Sequence, residues 1–137
     1  MEAAVFSLIN YRFSKISIDF SDTPKNTTWN INILPSGFYD EKSGIFKLAF
    51  IFLGVLSKPS VPNIEVVCNA DFQFEKPLKN SEIPEYFYRN CIAILFPYVR
   101  AFVSTVTLQA NIPPVILPTY NLSSLSEKLM KNTEFAK

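Results

Sequence analysis

RAFVSTVTLQANIPPVILPTYNLSSLSE, residues 100–127, carries no charge between Arg100 and Glu127, and the reading of this run decides the fold. A bilayer-crossing helix needs roughly 20 consecutive apolar residues and no breaker that its surroundings leave unsatisfied. Here Gln109 and Asn111 fall near the centre, and Pro113, Pro114 and Pro118 follow. The other strongly apolar block, Leu48 to Leu56, is too short to span, and the first residues, MEAAVF, lack the basic n-region of a secretory signal. The expectation is a soluble, untargeted, cytoplasmic chain in which this run is a buried helix followed by an extended connection stiffened by proline.

Working back from that run, Pro97 argues against a continuous helix, because an interior proline removes a backbone hydrogen bond. The spacing therefore predicts a short helix over EYFYRNC, residues 85–91, and a separate main helix from about Ile94 to Ala110. On the main helix Leu95, Tyr98, Val99, Phe102, Val103 and Val106 form a wide stripe, and Ala101, Thr105 and Leu108 leave the other side almost uncharged. A helix apolar all round is buried all round. One sheet in a 137-residue chain covers only one side, so a second subunit is expected on the other. Beyond the prolines, Asn121 is placed to cap a last helix, LSSLSEKLMK, with Leu122, Leu125 and Leu129 as its stripe. The final NTEFAK is expected to fray.

Upstream the period changes from that of a helix to that of strands. In VFSLINYRFSKISIDF the apolar residues Ile9, Tyr11 and Phe13 are odd while Ile16, Ile18 and Phe20 are even. One extra residue near Ser14 and Lys15, a β-bulge, restores a single apolar face. SDTPKN supplies turn residues. Trp29, Ile31 and Ile33 then alternate with asparagines, and residues 35–44 read as a polar connection. Phe46, Leu48, Phe50 and Phe52 face one way and Ala49, Ile51 and Leu53 the other, as in an inner strand. Val66, Cys68, Ala70, Phe72 and Phe74 alternate with polar residues in a fourth strand. The expected class is α+β, a four-stranded antiparallel meander followed by a long helix and a C-terminal amphipathic helix, in one domain.

Composition closes several functional routes. The chain has no histidine, which removes histidine-activated nucleophiles and histidine metal ligands. Its three glycines, Gly37, Gly44 and Gly54, build no phosphate-cradling loop. Cys68 and Cys91 have neither metal nor redox-pair spacing and read as buried reduced thiols. The carboxylates Asp40, Glu41, Glu82 and Glu85 read as turn and helix-start residues. Thirteen basic against twelve acidic residues give no basic footprint for nucleic acid. No enzyme, cofactor or metal site is expected. Twenty aromatic residues, thirteen Phe, six Tyr and one Trp, are more apolar surface than a small monomer hides, so some is expected at subunit contacts or against a ligand.

CIAILFPYVR, residues 91–100, is similar to C-x-N-I-L-F-P-Y-A-R, which opens the main helix of the SecB family of protein-export chaperones. NIPPVILPTYNLSSL, residues 111–125, resembles that family's G-x-F-P-x-L-x-L-x-P-x-N-F-D-A-L. FSLINYRFSKISID is like its first strand, and Trp29 matches its second-strand tryptophan. The resemblance implies a dimer of dimers, a homotetramer, with the main helices sandwiched between sheets. It also implies an ATP-independent holdase that takes unfolded polypeptides into apolar grooves, for export and translocation or for a dedicated client such as an antitoxin. Where the family presents carboxylates to the SecA motor, this sequence has Lys15, Asp19 and Asn69, so only Asp19 is kept as a SecA contact. Ser123 and Leu122 replace the family's aspartate and phenylalanine.

Apolar character in the resembling regions nominates Trp29, Phe46, Phe50, Ile112, Val115, Leu117, Leu122 and Leu125 for the client groove. Tyr98, Phe102 and Val106 are nominated for the oligomer interface. An alternative from a different class is an oligomer with a small apolar-ligand site, lipid or acyl, between sheet and helix. A purely structural oligomer is a third.

Overall fold

The computed structural model describes residues 4–20, 29–56, 62–112, 115 and 122–137. Five strands, β1 (Phe6–Ile18), β2 (Asn30–Asp40), β3 (Ile45–Val55), β4 (Ile64–Phe74) and β5 (Thr133–Phe135), form one sheet in the order β1-β4-β3-β2-β5. Helices α1 (Glu85–Gln109) and α2 (Leu122–Lys131) complete it, with a short 3-10 turn, Asn80–Glu82, between β4 and α1. All strand pairs are antiparallel except β2 with β5. The sheet thus has a fifth strand beyond the expected meander, contributed by the NTEFAK segment that was expected to fray.

Pairing explains why the even positions of β3 and β4 are buried. Phe46 lies opposite Phe72, Leu48 opposite Ala70, Phe50 opposite Cys68 and Phe52 opposite Val66, so all eight share one face. That face carries α1, whose Phe87, Cys91, Ile92, Leu95, Val99 and Val103 are buried on it. Rings dominate the layer: Phe87 meets Phe6, Phe46 and Phe74 with centroids 4.7–4.8 Å apart. Such pairs contribute about 0.5–1.5 kcal/mol each beyond the area they bury.

The phase change in β1 is resolved by two bulges rather than one. Register shifts occur between Leu8 and Asn10 and between Phe13 and Lys15. The second is the expected one, and its extra residue is pinned where Asn69 donates to the Ser14 hydroxyl at 2.6 Å. The first makes Ile9 the extra residue, and Ile9 is exposed. With both, Phe6, Leu8, Tyr11, Phe13, Ile16 and Ile18 share the helix side, which alternation around a single bulge does not achieve.

Two further expectations are corrected. Residues 35–40 are not connection but strand, since β2 runs through Pro35 to Asp40 and only 41–44 turn, ending at Gly44 with φ +73°. Polar residues misled there, because Ser36 and Asp40 occupy the outer face. The short helix and the main helix are one, α1, with Pro97 inside it. Pro97 and Ala93, whose carbonyl loses its partner, both lie on the exposed side, so no polar group is stranded in the core. By length and composition α1 would be able to cross a membrane. Eight of its nine buried residues belong to one core cluster with the sheet, and this marks it as the core helix of the domain.

At its end α1 stops with Ala110 and a left-handed Asn111 at φ 58°, a residue type that tolerates this conformation. The expected turn at 21–26 and the prolines of the connection lie outside the described residues, as does the cap expected at Asn121.

Candidate functional site

The chain's only tryptophan sits at the mouth of β2. Its ring lies over Gly54, where an added Cβ would come within 3.1–3.2 Å of it, and meets Phe20 edge-on at 6.0 Å. The absence of a side chain at Gly54 gives the indole its seat. Trp29 is half-buried, and its buried Nε1 has no hydrogen-bond partner among the described residues.

At the end of the buried stripe of α1, one turn beyond Val103, Thr107 is fully buried and holds Val115. Its hydroxyl donates to the Val103 carbonyl at 2.9 Å and accepts the Val115 N–H at 3.3 Å. The Ile112 N–H reaches the Thr107 carbonyl at 3.3 Å, and Ser104 donates to the Val115 carbonyl at 3.4 Å. Both backbone groups of Val115 are therefore held by hydroxyls of α1. Sequence reading singled out neither Thr107 nor Ser104; the signal available was two hydroxyls one turn apart on the helix. Leu125 and Leu129 of α2 are buried in the core, as their spacing predicts.

The nominated groove residues divide. Phe46 and Phe50 have 0% exposure beneath α1 and are core, not groove lining, because even positions of β3 face the helix. Val115 and Leu125 are also buried, Ile112 and Trp29 half-buried. Leu117 lies outside the described residues, as does the side chain of Leu122. The rings of Phe46, Phe50, Phe72 and Phe87 are fully buried in the sheet–helix layer.

The nominated contact residues lie along α1 beside β1. Tyr98 is 43% exposed and tilts against Tyr11 at 4.6 Å, while Phe102 stacks on Phe13 at 3.9 Å. Val106 is half-buried, and Leu108 further along is 70% exposed. With Ile16 and Ile94 these residues make an apolar strip on the folded chain, shared between helix and edge strand.

The outer sheet face is mixed, with Leu34 and Phe38 exposed among polar and charged residues. Lys15 pairs with Glu65 at 3.1 Å, and Asp19 donates its backbone N–H to the Asn63 carbonyl at 2.8 Å. A cavity of about 600 Å³ opens across this face, lined among others by Arg12, Lys47, Asp71 and Glu134. The turn carboxylates serve the backbone: Asp40 accepts from the Lys42 N–H, Glu41 from Asn80 and Glu82 from Lys79. Burial pushes the Cys68 thiol up to about 11 and raises that of Cys91 further, so neither is a ready nucleophile or ligand. Among the described residues no group of His, Cys, Asp and Glu is placed to hold a metal.

A mostly antiparallel sheet covered on one face by a long helix, with exposed apolar residues on edge strand and helix, defines an α+β domain. The family profile described as "Preprotein translocase subunit SecB" matches residues 57–133, more than half of the chain, and the chain belongs to the SecB family. It is a divergent SecB-like protein, of a family whose members are not enzymes. The fold is similar to that of the SecB-like chaperone Rv1957 of Mycobacterium tuberculosis, solved in complex with a ChAD peptide from the Rv1956 HigA1 antitoxin. The TM-score is 0.68 and the identity 18%, over 85% of this chain and 90% of that one. An uncharacterised protein of Methanocaldococcus jannaschii, MJ0357, is 55% identical over 49 residues, 33% of this chain and 32% of its own length. The chain's match thus spans about a third of that curated relative. A protein of unknown function from Streptococcus agalactiae shares 17% identity at TM-score 0.48, over 86% of this chain and all of that one.

Proposed function

We propose that the protein is an ATP-independent holdase that binds unfolded polypeptides on apolar surface, working as a homo-oligomer, a dimer of dimers, in the cytoplasm. The observation that carries this reading is the apolar strip of Tyr11, Ile16, Ile94, Tyr98 and Leu108, exposed on an otherwise well-filled fold. Family membership gives that strip a use in assembly. It leaves Trp29, Ile112, Val115 and Leu125 for the client groove. Neither surface needs a cofactor, since apolar and backbone contacts suffice for promiscuous capture.

A dedicated client, such as an antitoxin segment, is better supported than general export. The Rv1957 structure supports such a client, because it holds an antitoxin peptide on a similar fold. The outer face supports it too: Lys15 is paired with Glu65 and Asn69 with Ser14, which leaves Asp19 as the one carboxylate retained for a SecA contact.

The test is nucleotide-free capture of a chemically unfolded, slow-folding client at stoichiometric ratio, followed by light scattering. A stable complex at the mass of the oligomer plus client is expected. Aggregation at the rate of client alone, with a folded oligomer present, overturns the holdase reading.

A further inference from the structure

The outer edge of β2 is an interaction surface whose occupant is this chain's own last strand. Gly37 donates its N–H to the Asn132 carbonyl at 3.1 Å, and the Tyr39 carbonyl accepts the Ala136 N–H at 2.9 Å. Hydrogen bonding alternates along a strand, so Ile31, Ile33 and Pro35 present their backbones to the same edge. Pro35 has no N–H, and the row of donors is broken there. The unbroken end of the edge, Gly37 to Tyr39, is the part that β5 covers.

The cover is slight. It is three residues long and parallel, the weaker pairing, and Phe135 remains 39% exposed. Two features make the edge a shaped receptor. At Gly37 an added Cβ would come within 2.9 Å of the Thr133 hydroxyl, so the missing side chain is what admits the neighbouring strand. Two residues on, Phe135 meets Tyr39 edge-on at 6.5 Å.

We propose that β5 stands in for client backbone: an extended client segment, with a small residue followed two places later by an aromatic one, adds to β2 at Gly37–Tyr39 when β5 leaves. Strand addition recognises backbone and so accepts many sequences, while the Gly37 slot and the Tyr39 ring supply a mild preference. Displacement also reaches α2. The Asn132 N–H bonds the carbonyls of Lys128 and Leu129, and the Thr133 hydroxyl donates to Leu129 at 2.6 Å, so β5 leaves α2 without an intervening loop. A client strand that removes β5 therefore loosens the last turn of the helix beside the connection. This inference rests on the holdase reading and goes beyond it.

The experiment uses the full chain in three forms, with fluorescently labelled, reduced and carboxymethylated α-lactalbumin as the probe and binding read by anisotropy. In Phe38→Cys/Glu134→Cys the two positions are direct partners. Adjacent strands lie about 4.8 Å apart, within the roughly 4.4–6.8 Å that a disulfide spans. The native Cys68 and Cys91 are buried and do not compete. Glu134→Pro removes the N–H by which β5 pairs. The oxidised double variant is expected to lose affinity that reduction restores. If β5 vacates its edge in about one molecule in ten, Glu134→Pro gains about tenfold over the unaltered chain. In Glu134→Pro the Gly37 amide exchanges quickly when free and is protected when the probe binds. Equal affinity of the oxidised and reduced forms, or a Gly37 amide that stays unprotected in the complex, overturns strand addition while leaving the holdase intact. Absence of binding in all forms, the unaltered chain included, overturns both.

Discussion

The ring of Phe13 lies face to face on that of Phe102, 3.9 Å between centroids at 11°, and joins the edge strand β1 to the half-exposed side of α1. This stack makes strand and helix one surface. Phe102→Ala is expected to destabilise the domain by about 2 kcal/mol, below the roughly 3–5 of a fully buried ring because Phe102 is only half-buried. Thermal or urea unfolding of the variant measures it, and a loss under about 0.5 kcal/mol would show that the stack contributes nothing beyond surface contact.

Tyr98→Asp separates assembly from folding, since Tyr98 is exposed on the single chain. A carboxylate buried unpaired at a subunit contact costs several kcal/mol, about 3–5 in comparable cases. Light scattering should report a smaller particle with unchanged circular dichroism. An undiminished mass removes that face from the interface.

Gly37→Ala places a Cβ 2.4 Å from the tip of the Phe46 ring, which is fully buried and has nowhere to go. Overpacking of this kind costs about 1–3 kcal/mol. The urea midpoint should fall accordingly, and amide exchange at Glu134 should quicken because Thr133 is displaced as well. An unaltered midpoint would mean that the ring layer is looser than its packing implies.

Thr107→Val keeps the shape of the side chain and removes the hydroxyl that accepts the Val115 N–H. Leaving that buried donor unpaired is expected to cost about 1–3 kcal/mol. Thr107→Ser restores the acceptor. If the connection serves as part of the client groove, the Val variant binds client more weakly and the Ser variant does not. Equal binding by the two places the client elsewhere.

Cys68 and Cys91 should resist a thiol reagent at pH 8 in the folded protein and react once it is unfolded, because burial raises both thiols. The sign of the stability effect follows. A thiol raised from the ordinary 9.0 to about 11, as at Cys68, favours the fold fully below pH 9, and that contribution is lost as pH rises towards 11. Urea midpoints measured from pH 8 to 11 should decline, and the decline should be shallower in Cys68→Ala. Tyr39 and Tyr88, also raised by burial, act in the same direction.

Much of this architecture was legible in the chain itself. Period-two alternation in β3 and β4 dictates one buried face, and the bulge near Ser14 follows from a parity change that no regular strand tolerates. The apolar stripe over Leu95, Val99 and Val103 marks the side of the helix that meets the sheet. The motifs at 91–100 and 111–125 point to the SecB family, which the match over residues 57–133 shows. Other features lay outside the reach of local pattern. Pro97 interrupts a helix only if its orphaned carbonyl is stranded, and that depends on which side faces the sheet. Phe46 and Phe50 are apolar residues at resembling positions, but their burial under α1 is set by their register with Phe72 and Cys68 of β4, which are partners in space and not neighbours in sequence. Residues 133–135 have almost no strand signal, and they form β5 because β2 presents an edge with a glycine slot at Gly37 to receive them. The sequence determines faces and periods, which are properties of neighbours along the chain. Edges, orphaned carbonyls and covered rings depend on partners distant in sequence, and only the tertiary structure decides those.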